Sequence, residues 1–592
     1  MPRHLFHARG CLSVVSVAFT VMCGAQEPAS NLKQADADYR AGVAALSRND
    51  LPAARSDFEN VVRLAPSAEQ GYSALGAVLV RGGETAGGIR ELEKALAMRP
   101  GDTSAQENLA LAFQQSGQAE KALPWFAKTE ANLRLQKQPV PAEFHAAYAR
   151  CLAATRQLGP AVAQMKQAVT ANPHNAELQD ELGSLYAQQQ NWPDAQRAFH
   201  AALAMDPALA MAHFHLGMTL QAEQQPGAIE ELSKAYQLAP RNLGIALAYA
   251  QRLTEQGDDQ QAIPVLREAV ELDPHSTAAA YQLGLALQRA NEIDQALPLL
   301  QKAATDPANP DALINFGMAL CQAQRARDAV PILQRAVSAA PQNPAAHENL
   351  AAAYIQLSQF DDAVAALRAA LALTPDAAQL HYNLGLALKM KDDDADAIPE
   401  FEKAESLNPS ASEPPYALGL LYLQAGRYTD AARALSTSLK LQPANGEGWA
   451  TLGSVYNHLD NLPEAAAALQ EAIRQRPDQP DPYLTWAAVL VKQNQPAEAA
   501  VERKKAADLM RANMNRQRAE VSSHAGNDLL KSGKVSDAIV EFRNALSFDA
   551  NYPEAHVGLA NALQQQGDLA EAAIERQKAE ALQKQFHQQD QR

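Results

Sequence analysis

Four carboxamides recur through the middle of the chain at intervals of 33 or 34 residues: Gln282, Asn315, Asn349 and Asn383. A side-chain amide offers one acceptor and two donors, which matches the backbone of an extended peptide. A line of them would hold a polypeptide by its main chain. Other arrangements with chemical promise fail on spacing. Asp392, Asp394 and Asp396 imitate the start of a calcium loop, but Ala397 stands where the sharp-turn Gly is needed and Lys403 where the bidentate Glu belongs. They read instead as cap and turn residues at the start of a helix. His213 and His215 are two residues apart and point to different helix faces, and His213 reads as a satisfied core histidine. There is no phosphate-binding loop, dinucleotide fingerprint, HExxH or nucleophile elbow. No enzyme activity, cofactor or metal is expected.

The interval between the amides is the period of almost the whole chain. One copy carries Gly183, Tyr186, Ala195, Phe199, Ala202 and Pro207; another carries Gly453, Tyr456, Ala465, Leu469, Ala472 and Pro477. Self-similarity at 34 residues marks a solenoid of helix pairs, in which each pair buries its apolar face only against its neighbours. Sixteen repeats follow, with first helices starting from Ala35 to Pro553. Counting from each start, position 8 is always Gly or Ala, because a larger side chain would push the paired helices apart. Positions 20, 24 and 27 of the second helix face back. A Pro closes most repeats, and Gly117, Gly257, Gly426, Gly533 and Gly567 sit between paired helices.

Boundaries and departures follow from the register. Residues 1–25 read as a secretory signal, 26–34 as a linker, and 35–136 as repeats 1–3. Repeats 4–14 occupy 142–511, a helical connector 512–518, repeats 15 and 16 residues 519–586, and a tail 587–592. Lys137 to Pro141 interrupt the pattern as a loop or small break in the stack. Repeats 6 and 8 are one residue short. Repeat 14 lacks its closing Pro, so residues 496–531 read as a possible single helix that would offset the last two repeats. Arg503 and Arg576 replace the apolar residue of position 24 within near-identical strings, EAAVERKKAADL and EAAIERQKAEAL.

These residues closely resemble the tetratricopeptide repeat (TPR) family over about residues 35–586. The resemblance implies an all-α, right-handed superhelical solenoid of about 32 antiparallel helices, with first helices lining a concave groove. In that family positions 2, 5, 9, 12 and 13 of the first helix project into the groove. Here they supply Met211, Phe214 and Met218, then Tyr281 and Leu285, Ile314 and Met318, and Ile355. Tyr382, Leu386 and Met390 follow, then Tyr416, Leu420 and Leu423. Exposed apolar, Met-rich surface of this extent marks a partner site, unless neighbouring helices already cover it. Gln282, Asn315, Asn349 and Asn383 at position 6 look like the asparagine ladder in the TPR superhelix of O-linked N-acetylglucosamine transferases. The chaperone-type carboxylate clamp is not matched, so capture of a C-terminal carboxylate is not expected.

Composition narrows the partner. The formal charge is −16, which argues against nucleic acid. Arg3 and Arg9 before the apolar run Cys11 to Met22, ending Cys23-Gly24-Ala25, read as an export signal cleaved after Ala25. A lipoprotein anchored through Cys23 is the alternative, with bulky Met22 against it. No segment reaches transmembrane length. Cys151 and Cys321 lie five repeats apart, beyond disulfide reach. The basic stretch Lys504, Lys505, Arg511, Arg516 and Arg518 reads as a solvated helix face; contact with an anionic partner or with the acidic surface of a second copy are its other readings.

The expected function is an exported, non-enzymatic protein-interaction scaffold (periplasmic or secreted) that binds extended peptide segments in the concave groove. The alternative is a cell-envelope assembly, secretion or polysaccharide-export factor that docks folded partners. A third reading, the substrate-presenting part of a glycosyltransferase, is opposed by the lack of room for a catalytic domain.

Overall fold

The period becomes a run of antiparallel helix pairs in the computed structural model. The structure describes the backbone of residues 29–590 and the side chains of residues 30–584. The expected signal segment, with Cys11 and Cys23, lies outside the described residues. Those residues contain 31 helices and no strand. Sixteen repeats predict 32, and the difference is one long helix. Pro496–Lys531 joins the second helix of repeat 14 to the first helix of repeat 15 over 36 residues.

Repeat 11 shows how the sequence builds one pair. Its first helix is Ala378–Met390 and its second is Asp394–Leu407. The turn between them needs one residue in the left-handed region, and Asp392 takes it at φ 61°. Asp393 stands at the N-cap, and Asp394 and Asp396 occupy the first helical turn, where negative charge opposes the helix dipole favourably. Elsewhere glycine supplies the turn, as at Gly426 with φ 72°.

Position 8 is where the two helices touch. A methyl group built on Gly385 would lie 2.7 Å from the Phe401 ring, and one on Gly317 would lie 2.4 Å from Leu333. Phe401 and Leu333 both sit at position 24. In thirteen of the sixteen repeats that position holds a Phe, Leu or Met of at most 1% exposure, and in short repeat 6 Leu232, one position earlier, takes the same place against Gly217. Repeats 14 and 16 differ: Arg503 and Arg576 are exposed, and the residues buried around them are Ala499 with Ala506, and Ala572 and Ala579 with Glu575.

The chain divides into two compact units, one ending at Thr305 and the other beginning at Asp306. The register placed no boundary there. It falls in the closing loop of short repeat 8, whose second helix Ile293–Ala303 has 11 residues against 14 in Phe360–Leu373. The linker expected at 26–34 is helical from Ala29. Leu32 accounts for this, because it packs with Ala35 against Leu64, Ala65 and Ala68. After repeat 3, the helix Ala119–Leu135 runs 17 residues, and a loop through Lys137 (φ 53°) leads to Pro141.

Replacing Gly385 by Val should lower the denaturation midpoint by an amount equivalent to about 1–3 kcal/mol, the range for overpacking a filled core. Gly159 has open space around it. Gly159→Ala should therefore leave the midpoint unchanged or raise it, by at most about 1 kcal/mol. Circular dichroism in urea distinguishes the two.

Candidate functional site

The first helices carry the candidate site, and several neighbouring pairs of them pack directly on one another. In the unit before Thr305, Ala176–Gln188 lies against Ala210–Ala222; in the unit after it, Pro310–Gln322 lies against Pro344–Gln356 and Gly446–His458 against Pro480–Lys492.

The expected groove residues fall into two sets, because the unit boundary runs between them. Met211, Phe214, Met218, Tyr281, Gln282 and Leu285 belong to the first unit. There Met211 and Met218 are exposed and the other four partly buried. The remaining twelve belong to the second unit. Met390 is 52% exposed, while Asn315, Met318, Asn349, Ile355, Tyr382, Asn383, Leu386, Tyr416, Leu420 and Leu423 are partly buried. Ile355, Tyr382, Leu386, Tyr416 and Leu423 rest against the main core of that unit and keep one side open. Ile314 corrects the expectation: at 6% exposure it is a core residue. The first helix of repeat 10 covers that side, close enough for Gln356 Nε2 to donate to Cys321 O at 3.3 Å.

The amides have partners of their own. Asn315 Nδ2 donates to Asp311 O at 3.0 Å and Asn349 Nδ2 to Ala345 O at 2.9 Å, each one turn back on its own helix. Asn383 reaches across repeats, donating to Glu348 Oε1 at 3.0 Å and accepting from Gln379 Nε2 at 3.0 Å. These bonds fix the amide planes. Gln282 Oε1, in the first unit, is a buried acceptor with no hydrogen-bond partner in the structure. Leaving such a group unmade costs about 1–3 kcal/mol.

Electrostatics differ between the two units. In the first, the Arg150 guanidinium grips both Glu181 oxygens at 2.8 and 2.6 Å, and His215 Nδ1 lies 2.9 Å from Asp180 Oδ1. Burial works against the Arg150 charge; the Glu181 carboxylate outweighs it and raises the pKa. In the second, Tyr382 lines a cavity of about 410 Å³ with Gln379, Asn408, Ser412 and Glu413. Burial, with the Glu413 charge, pushes its phenol above the usual value. Cys151 and Cys321 are both free and buried, and burial drives the Cys151 thiol to about 11, far from a reactive thiolate.

One recurring contact escaped the sequence reading. In seven repeats position 4 of the first helix holds a polar side chain that bonds the carbonyl six residues earlier, at the end of the preceding repeat. His213 Nε2 donates to Pro207 O (3.1 Å), His381 Nε2 to Pro375 O (3.0 Å), Trp449 Nε1 to Pro443 O (2.9 Å) and Tyr483 Oη to Pro477 O (3.0 Å). Gln106, His347 and His556 do the same. His213 and His381 also place Nδ1 at 2.5 and 2.6 Å from Glu231 and Glu400 of their second helices. Among the described residues no three His, Cys, Asp or Glu side chains gather to hold a metal ion. None of the helices is long and apolar enough to cross a membrane.

Models of the tetratricopeptide repeat match the sequence at residues 73–134, 181–242, 253–304, 314–358, 378–410 and 416–480, and TPR repeat models match at 353–392 and 526–567. Together they cover more than half of the chain. Comparison with curated proteins returns no match. Among solved structures, the Cut9–Hcn1 hetero-tetramer of the APC/C is 17% identical, covering 78% of this chain and 98% of that one, with a TM-score of 0.36. Yeast Tom70 is 19% identical over 76% of this chain and 98% of its own, with a TM-score of 0.31. MamA from Desulfovibrio magneticus is 26% identical over 28% and 96%, with a TM-score of 0.27.

Glu231 generates a test of the position-4 contact. Burial raises its pKa, but Lys234 and His213 outweigh that and hold the carboxyl below its ordinary 4.5. A depressed carboxyl stabilises the fold fully above the ordinary value and loses that contribution as pH falls through the folded one. Glu231→Gln should lower the thermal midpoint at neutral pH, and its gap from the parent should close as pH drops below 4.5. Melting curves across that range read the effect.

Proposed function

The chain belongs to the tetratricopeptide repeat family, and from that premise we propose that it is a non-enzymatic scaffold that holds an extended polypeptide segment against the first helices of the unit beginning at Asp306. The observation that carries this reading is the row of half-open apolar side chains on consecutive first helices. Ile355, then Tyr382 with Leu386, then Tyr416 and Leu423 each keep one side against the core and one side open, and Leu420 is partly buried on the same helix as the last two. Such side chains are already ordered, so a ligand gains apolar contact without the cost of fixing them. The amides of Asn315 and Asn349 lie on the same layer, with planes set by bonds to their own helices. Side-chain pockets would set preference and the amides would grip the ligand backbone.

The partner is a protein or peptide, and the net charge of −16 opposes nucleic acid. We place the protein outside the cytoplasm, on the strength of the charged, apolar and small-residue sequence of residues 1–25. A periplasmic or secreted scaffold needs no disulfide here, because stacked repeats supply the stability.

Two experiments test the reading. Fluorescence anisotropy with labelled unstructured peptides should show binding to the full chain. The combined Asn315→Ala, Asn349→Ala and Asn383→Ala variant should bind about 10- to 1,000-fold more weakly, as expected for three net hydrogen bonds of about 0.5–1.5 kcal/mol each. Unchanged affinity would remove the amides from the account. N-terminal sequencing of the protein recovered from a Gram-negative host should begin at Gln26; an intact Met1 would place it in the cytoplasm.

A further inference from the structure

The long helix Pro496–Lys531 is anchored only at its ends. Tyr483, Ala499 and Ala506 are buried on one side, and Ala519, Ser522, Ser523 and Gly526 on the other. Between them, residues 507–518 are exposed except for partly covered Leu509 and Asn515. A helix this open has no packing reason to carry large apolar groups, yet Met510 and Met514 are 42% and 46% exposed, and Val521 is 69% exposed. Of the eighteen exposed large apolar side chains among the described residues, ten lie between Leu484 and Ile574. Concentration of that kind marks an interaction surface.

The exposed residues have an order. Ala507, Met510, Met514 and Val521 fall at intervals of three, four and seven, so they form one stripe, the seam of a heptad pattern with Gln517 at the remaining core position. Lys504, Arg511 and Arg518, each seven residues apart, form a row along one border of that stripe. From Arg503 to Arg518 there are six basic residues and one acid, Asp508, a net +5 in a chain of net −16. Arg511 is 3.7 Å from Asp508, and Lys505 is turned away onto the Tyr483 ring, 4.6 Å from its centre.

We propose that this segment is a second docking site, separate from the first-helix face described above, and that its occupant is an amphipathic helix of another protein carrying an acidic row beside its apolar seam. Charge complementarity selects that occupant. A second copy is disfavoured: antiparallel pairing sets the basic row against itself, and parallel pairing needs the opposite border, where Ala506 is buried in this chain. A bilayer is disfavoured because the seam is narrow and holds no Trp, Phe or Leu. The bulky residue at position 24 pins other second helices to their partners. Arg503 stands there instead, so this helix is free to run on alone.

Two 21-residue helical peptides test it, identical in Leu at the seam positions and bearing Glu or Lys along both borders. The full chain should bind the Glu peptide at least tenfold more tightly than the Lys peptide, although its overall charge repels acids. The preference should shrink as salt rises. K504E/R511E should reverse the order, and M510A/M514A should weaken the Glu peptide about tenfold, both with unchanged circular dichroism. Equal binding of the two peptides, an order unmoved by K504E/R511E, or no binding of either would overturn the proposal. So would capture by vesicles of 30 mol% anionic lipid without peptide binding, or self-association in sedimentation that K504E/R511E abolishes.

Discussion

The whole molecule depends on how closely two helices of one repeat can approach. Glycine or alanine at position 8 lets the side chain at position 24 lie flat against the partner backbone: Gly183 under Phe199, Gly317 under Leu333, Gly526 under Phe542. The surrounding core is built mostly of alanine, with Ala195, Ala202, Ala329 and Ala336 fully buried. Small residues bring little apolar area each, so the stability comes from close dispersion contact and from repetition. Low aromatic content is thus a consequence of the spacing. A few rings are spent where each fills a whole interface.

A second constraint links one repeat to the next. The closing Pro stops a helix, and its own carbonyl lies past the last turn without an intrahelical donor. The position-4 side chain of the following repeat supplies one. His, Trp, Tyr and Gln all serve, since each has an N–H or O–H at similar reach, as in His381, Trp449, Tyr483 and Gln106. The requirement is a donor at the right distance, which is why the residue type varies while the bond persists. In the seven repeats that make it, this bond orients the first helix on the end of its predecessor, and the first helices in turn position the candidate site.

Much of this was legible in the sequence. The glycines of position 8, the closing prolines and the turn residues locate the helices, and Asp392 with its neighbours resolves into turn and cap because Ala397 and Lys403 spoil a metal loop. Three features were not legible. The position-4 bond is hidden because four unlike residues make it. Ile314 has the spacing of a groove residue and is buried, since burial depends on how tightly the next first helix sits, which no spacing reports. The division between Thr305 and Asp306 falls in the closing loop of repeat 8, which is one residue short, while the equally short repeat 6 shows no such division. Sequence gives the period but not how each irregularity relaxes. The candidate face was legible as a set of positions; the bonds that already occupy Asn315, Asn349 and Asn383 were not.

Departures from the period are where a repeat protein becomes one particular protein. A strict array would spread every property evenly along its length. Here the unusual features coincide: the two arginines at position 24, the missing Pro at the end of repeat 14, the one merged helix, and more than half of the exposed large apolar side chains all fall within the last quarter of the chain. Each has a structural consequence by itself. An arginine at position 24 cannot be buried unpaired without a large desolvation cost, so the second helix lifts its charged edge to water. Without a Pro, the helix continues. Once it continues past the edge of its repeat, no neighbour covers it, and its side chains meet solvent from almost every direction. Solvent tolerates arginine and lysine there but gives no reason for a methionine seam. The apolar stripe is the one element that the local rules leave unexplained, and it lies beside the only strongly basic row noted in an acidic chain.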